Sequence, residues 1–193
     1  RRIDPGLTNI IDLYIVTNTY YTNYINYIKD TTSKVPEPVK PTIDELSLSY
    51  NSLNQFKMLS DDLVFNSVTF KPLFGAKAPT ELQGKIKVIK QPKVVVSIGE
   101  IKSRVVASLN EYFTIDKWDF GDIFYFSELS AYLHEELGDI VSSVVIVPTD
   151  PTKVFGDLYE IRSAPNEIFV NAATTQDIEV IDALTSGALR QSS

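Results

Sequence analysis

The stretch KWDFGDIFYFSELSAYLHEELGDIVSSVVIVP, Lys117 to Pro148, holds the chain's single Trp, its single His and a dense group of aromatics and carboxylates. Such residues could be placed for chemistry or for packing, and each has a packing assignment. Trp118 and Phe120 lead into Gly121, which lacks a Cβ and lets the chain turn sharply. Phe124 and Phe126 continue as an extended piece. Ser127 then stands where an N-cap side chain would accept the first free amides of a helix. Leu129, Leu133 and Leu137 repeat at helical spacing as its buried stripe. Gly138 is expected to end the helix in a left-handed conformation, and Ile140 starts the approach to a strand at Val144 to Val147.

The chemical alternatives are weaker at each position. His134 has no second His or Cys with which to share a metal,. Glu135 and Glu136 are adjacent, so on a helix they point about 100° apart and form no facing carboxylate pair. Asp116, Asp119 and Asp122 recur at threes without the oxygen-ligand loop and closing Glu of a calcium site. GDIFYF and FGAKAP lack the glycine spacing that lays backbone amides around phosphates. No catalytic, metal-binding or cofactor-binding residue is assigned, and no cofactor is expected.

The flanks supply strands and helices in mixed order. In NIIDLYIV, Ile11, Leu13 and Ile15 alternate with Asp12 and Tyr14, the period of a strand. From Tyr20 to Ile28 the period becomes helical, with Tyr20, Tyr24 and Tyr27 on one stripe and Tyr21, Ile25 and Ile28 beside it. The tyrosine row reads first as core, since aromatic stripes at helical spacing usually pack inward; if the second stripe faces the core instead, the row is left for a partner, because tyrosine suits interfaces where the ring is buried and the hydroxyl stays wet. SKVPEPVKPT carries three prolines and reads as a linker,. Thr42 to Glu45 has the spacing of a reciprocal helix cap, predicting a helix over about 43–59 with Leu46, Tyr50, Leu53 and Phe56. VFNSVTFKPLF and GKIKVIK read as strands, the first broken or at an edge because of Pro72, the second with Lys85 and Lys87 on a solvated face. KVVVS is a short buried strand, and Ser97 to Glu100 is a second capping box opening a helix with Ile101, Val105, Leu109 and Tyr112 on one face. DLYEIRSAPNEIFVNA gives two short strands around Ala164-Pro165-Asn166, and a helix is expected over about 176–184.

Such an order, without strict βαβ alternation, predicts an α+β fold: a mixed or mostly antiparallel sheet with helices packed on one face in two layers. The expected division is 1–34, a strand and Tyr-rich helix forming part of an interaction region; 35–41, the Pro-rich linker; 42–175, the main α+β domain; and 176–193, a C-terminal helix and tail.

At 193 residues the chain can bury one substantial core,. Its net charge of −7 repels nucleic-acid phosphate and anionic lipid,. No apolar run reaches transmembrane length, and the absence of Cys excludes disulfides and thiolate chemistry,. The opening RRIDPG has neither an initiating Met nor an apolar signal segment, so a piece of a longer polypeptide is expected.

A helix ending in an aromatic, then W-x-F-G-x-x-x-x-x-S-x-L-x-x-x-L-x-x-x-L-G and a Val-rich strand, resembles the C-terminal part of the baseplate J family of contractile-tail phages. The likeness runs from Lys85 to Pro148, and more loosely over the earlier strand and tyrosine-rich helix. It departs at Asp139, where the family more often passes from Gly directly to an aliphatic. The resemblance implies a non-catalytic structural subunit of the tail baseplate wedge, present in the virion and assembled in the host cytoplasm. It also implies a homodimer or ring through self-association and contacts with other baseplate wedge proteins; the net charge and the missing site motifs lead to no nucleic-acid, membrane or small-molecule partner being expected,. The expected protein interface is Tyr20, Tyr24, Tyr27, Phe124 and Phe126. Two other readings remain open: a hydrolase or carbohydrate-binding domain using an acidic cleft at Asp116, Asp119, Asp122 and Glu128, and a structural subunit of a related contractile injection or secretion apparatus.

Overall fold

The computed structural model describes residues 10–53, 62–150, 152 and 160–181. Among the described residues, nine strands and four α-helices make an α+β fold. In chain order they are β1 (Ile10–Ile15), α1 (Asn18–Lys29), α2 (Ile43–Ser49), β2 (Asp62–Ser67), β3 (Thr69–Leu73), β4 (Gly84–Lys90) and α3 (Ile98–Tyr112). There follow β5 (Ile123–Tyr125), α4 (Phe126–Leu137), β6 (Val141–Pro148), β7 (Glu160–Arg162), β8 (Glu167–Asn171) and β9 (Ile178–Ile181).

The strands form several small ladders. β4 lies between β6, antiparallel to it, and β9, parallel to it. On one face Ile86 and Val88 of β4 align with Ile178 and Val180 of β9 and with Ile146 and Val144 of β6. α3 and α4 cover this face, burying Ile101, Val105 and Leu109 from one helix and Leu129, Leu133 and Leu137 from the other. The side chains of this layer match their pleat and helix periods, so one face is continuously apolar.

β3 and β8 form a parallel pair with one face wholly apolar, Phe70 and Pro72 against Ile168 and Val170, and the other carrying Leu73 and Phe169 beside the Lys71–Glu167 ion pair and Asn171. Phe169 points into the α3–α4 core, while Phe70, Ile168 and Val170 point the other way, onto Tyr20, Tyr24 and Ile28 of α1. A parallel pair buried on both sides needs the near-continuous apolar run that EIFVN supplies,. The Tyr-rich helix α1 thus packs directly on β3 and β8, supplying Tyr20, Tyr24 and Ile28 to the second core. A third, smaller cluster joins Leu63 and Phe65 of β2 to Leu46 of α2 and to Ile11, Leu13 and Ile15 of β1, which runs parallel to β2.

Two residues hold β3 to its neighbours. Phe74 takes φ +75, a region costly for a residue with a Cβ, and its ring is wedged edge-on against Phe113, Phe124 and Phe126,. Gly75 follows because a Cβ there would lie 1.9 Å from the carbonyl oxygen of Ala172.

Several expectations change. KVVVS is a loop: Lys93 has φ +73 and Val95 is fully exposed, with Val94 and Val96 packed on the core. Residues 178–181, expected to be helical, form β9, because β4 offers an edge that pairs Ile86 with Ile178 and partner geometry outweighs local propensity,. The rest of the expected C-terminal helix and tail lies outside the described residues. α2 carries the full capping box between Thr42 and Glu45 but ends at Ser49; Phe56 is outside the described residues. Lys87 is not on a solvated face. It is 2% exposed and pairs with Glu179 of β9 at 2.9 Å, so the aligned strand supplies the countercharge that burial requires,.

Within the opening stretch, Ser127 does not cap α4. The helix begins one residue earlier, because Phe126 is fixed against Phe74 and Phe124, and Tyr125 occupies the cap without a side-chain bond. Gly138 is right-handed (φ −59, ψ −17); its small size matters instead, since a Cβ would come 2.9 Å from the carbonyl oxygen of His134. Gly121, at φ +77, is the residue in the stretch that uses glycine's left-handed freedom,. Asp139, the departure from the family pattern, makes a bidentate pair with Arg104 of α3 at 2.8 and 3.1 Å.

Candidate functional site

Trp118 sits between the two main cores. Its ring stacks on Phe113 at 5.5 Å with planes 12° apart and meets the edge of Phe169 at 5.2 Å. Its Nε1–H donates to the carbonyl of Tyr112 at 2.9 Å, satisfying the one polar atom of a largely buried indole,. Phe124 is fully buried between Phe74, Phe113, Phe126 and Phe169. Burial, with Glu128 nearby, pushes the Tyr112 phenol up to about 12. These rings form a structural joint among α3, α4, β5 and β8.

The carboxylates of the opening stretch divide between turn closure and solvent. Asp119 accepts from the amide of Phe120 at 2.7 Å, and Asp122 accepts from the amide of Asp119 at 2.7 Å, so the two side chains close the turn around Gly121. The carbonyl of Asp122 receives both the amide and the hydroxyl of Ser163 at 3.0 and 2.9 Å, fixing the turn beside β7. Asp122 and Glu128 line an open depression of about 450 Å³ with Tyr112, Lys117, Trp118 and Tyr132, but Asp116 and Asp119 are not part of it. His134, Glu135 and Glu136 are exposed on α4. Among the described residues no group of three or more His, Cys, Asp or Glu is gathered for a metal, and no helix is long and apolar enough to cross a membrane.

Four of the five residues expected at a protein interface are buried within this chain. Tyr20 and Tyr24 are 5% and 9% exposed, their rings 5.3 and 4.8 Å from Phe70. Burial therefore raises both phenols. α1 is rotated so that Tyr20, Tyr24 and Ile28, spaced four apart, face β3 and β8,. Phe124 and Phe126 are covered by the chain's own helices and strands. Tyr27 alone keeps partial exposure, with Lys77 Nζ 4.7 Å from its ring centre,.

No protein-family model and no curated protein matches this chain.

The second concave region is a cleft of about 590 Å³ between α1, α3 and the connection from β8 to β9. Tyr21, Ile25, Val106 and Phe113 give it apolar walls, and Lys29, Asn110, Thr174 and Gln176 give it polar ones. Lys29 Nζ donates to the carbonyl of Ala173 at 2.6 Å. Burial pushes its ammonium down to about 8, opposed by the field of Asp177,. Asp177 is itself occupied, accepting from the amide and hydroxyl of Thr174 at 2.9 and 3.0 Å and facing Lys85 at 3.5 Å. At the floor, buried Asn171 donates to Asn110 Oδ1 at 2.8 Å and accepts from the amide of Ala173 at 2.9 Å. Sequence reasoning missed this cleft. Its one signal was Lys29 standing four residues after Ile25, a cation continuing an apolar helical row,.

Proposed function

We propose that this chain is a structural, non-catalytic subunit of a contractile-tail baseplate wedge, joining copies of itself and other wedge proteins in the virion tail. The observation that carries the reading is how the stretch with the baseplate J pattern is used. Gly121 makes its turn at φ +77, Leu129, Leu133 and Leu137 form one buried stripe, and the helix delivers the chain into β6. Trp118 and its aromatic neighbours are engaged with one another, as in a joint that must hold shape under load. The surface offered to partners is elsewhere. Val39 (89% exposed), Leu48 (81%) and Ile43 (54%) stand out of α2 and the segment before it, apolar side chains that assembly would cover,.

Sedimentation velocity of the chain tests this reading, alone and mixed with the other subunits of a contractile-tail wedge. Concentration-dependent self-association or co-sedimentation is expected, weakened in Leu48→Glu with the far-UV spectrum unchanged. A monomer at high concentration that joins no wedge subunit would refute it.

A further inference from the structure

Lys29 lines the cleft between α1, α3 and the β8–β9 connection. Lys29 has three N–H donors and gives one to Ala173, and among the described residues no carboxylate pairs with it,. Lys29 is half-buried in the cleft wall, the field of Asp177 offsets only part of its desolvation, and its two remaining N–H donors are left for an incoming anion,. The surrounding polar groups add donor capacity, because Asn110 offers its Oδ1 to Asn171 and keeps its amide N–H groups, with the Gln176 amide and the Thr31 and Thr175 hydroxyls at the rim,.

We propose that this cleft binds a carboxylate attached to an apolar body, the carboxylate received by Lys29 and the body lying on Tyr21, Ile25 and Val106. A single negative charge fits better than a phosphate dianion. The cleft presents one cation, the nearby Asp177 opposes incoming negative charge and so disfavours a dianion more than a single carboxylate, and Tyr21 is the other titratable group in the lining,. α3 contributes Val106 and Asn110 to the walls and no charge. The apolar side gives the ligand's stem a surface to cover, the usual division of labour in a small-ligand pocket. This inference does not rest on the assembly reading, and it assigns a ligand where no small-molecule partner was expected.

The test is titration of isotope-labelled protein, followed by amide NMR shifts. The probes are 3-phenylpropanoate, its neutral amide, inorganic phosphate and the blocked peptide acetyl-Leu-Glu-Leu-amide. Saturable shifts at Lys29, Ala173 and Thr174 are expected with a carboxylate probe, at least about tenfold weaker in Lys29→Met, and weakening by about tenfold per pH unit above about 8 as the lysine loses its proton. Val106→Phe, which fills the cleft and leaves Lys29 in place, should abolish them while the remaining spectrum stays native. Tighter binding of phenylpropanoate assigns a free small acid, and tighter binding of the peptide assigns a protein side chain. Equal response to the neutral amide, preference for phosphate, unchanged binding in Lys29→Met, or no response to either carboxylate would overturn the proposal.

Discussion

Replacing Gly75 by Ala asks the most of the packing around β3. The added Cβ would lie 1.9 Å from the carbonyl oxygen of Ala172, 2.3 Å from its carbon and 2.9 Å from its Cβ. No side-chain rotation relieves a contact with backbone. Ala172 is fully buried, and its amide donates to Leu73 at 2.9 Å, so moving it away strains the link between β3 and β8. Phe74 cannot yield either, since it is already held at φ +75 by its wedged ring. Overpacking costs about 1–3 kcal/mol, and a weakened buried hydrogen bond adds about 1–3 kcal/mol. The loss of glycine's freedom in the unfolded chain returns roughly 0.4–1 kcal/mol, leaving a net loss of about 3 kcal/mol. Gly99→Ala is the matched control: its Cβ meets nothing within 4 Å in the first turn of α3, and stabilisation by about 0.5 kcal/mol is expected,. Urea unfolding followed by Trp118 fluorescence reads both, since the indole is stacked in the core and reports its loss directly,. A Gly75→Ala midpoint equal to wild type, with an unchanged slope, would refute the reasoning.

Three further substitutions test separate parts of the fold. Tyr24→Ser removes a ring packed on Phe70 and should destabilise by about 3–5 kcal/mol in the same urea assay; native stability with altered association would return Tyr24 to an interface,. Ser97→Ala should cost about 1 kcal/mol, because Ser97 accepts from the amide of Glu100 at 3.1 Å, whereas Ser127→Ala should cost almost nothing, since Ser127 caps no helix,. Lys29→Met should change the pH dependence of stability. The folded-state pKa of Lys29, about 8, lies below its ordinary 10.5, so the unfolded chain holds more protons between these values and wild-type stability gains there as pH rises,. Denaturation of both proteins between about pH 7 and 10 should show wild type gaining up to roughly 3 kcal/mol relative to Lys29→Met; parallel profiles would show that burial does not perturb the lysine.

Much of this architecture is legible in the residues, because many elements carry a local signature. The stripe Ile101, Val105, Leu109 and the alternation of Ile11, Leu13 and Ile15 report their own burial,. What stays hidden depends on partners distant in the chain. Nothing near Lys87 announces Glu179, and the run at 178–181 becomes a strand because β4 waits beside it. The tyrosine row illustrates the same limit. Periodicity puts Tyr20 and Tyr24 together, but which row turns inward is decided by Phe70, Ile168 and Val170 across the core. Of the site, the aromatic joint could be read from Trp118 and its spacing, whereas the cleft needed α1, α3 and the β8–β9 connection brought together.

The pairing of β3 with β8 and of β4 with β9 sets an order of events during synthesis. While the ribosome is still extending the segment past Pro148, β3 has no ladder partner and one edge of β4 stays open. These are strands whose unpaired edges invite other chains. Long-range parallel pairing is also slow to form. A nascent chain or a protein truncated before Ile181 therefore lacks the strand that closes the central sheet, and such products should be found with chaperones or in aggregates rather than as native monomers.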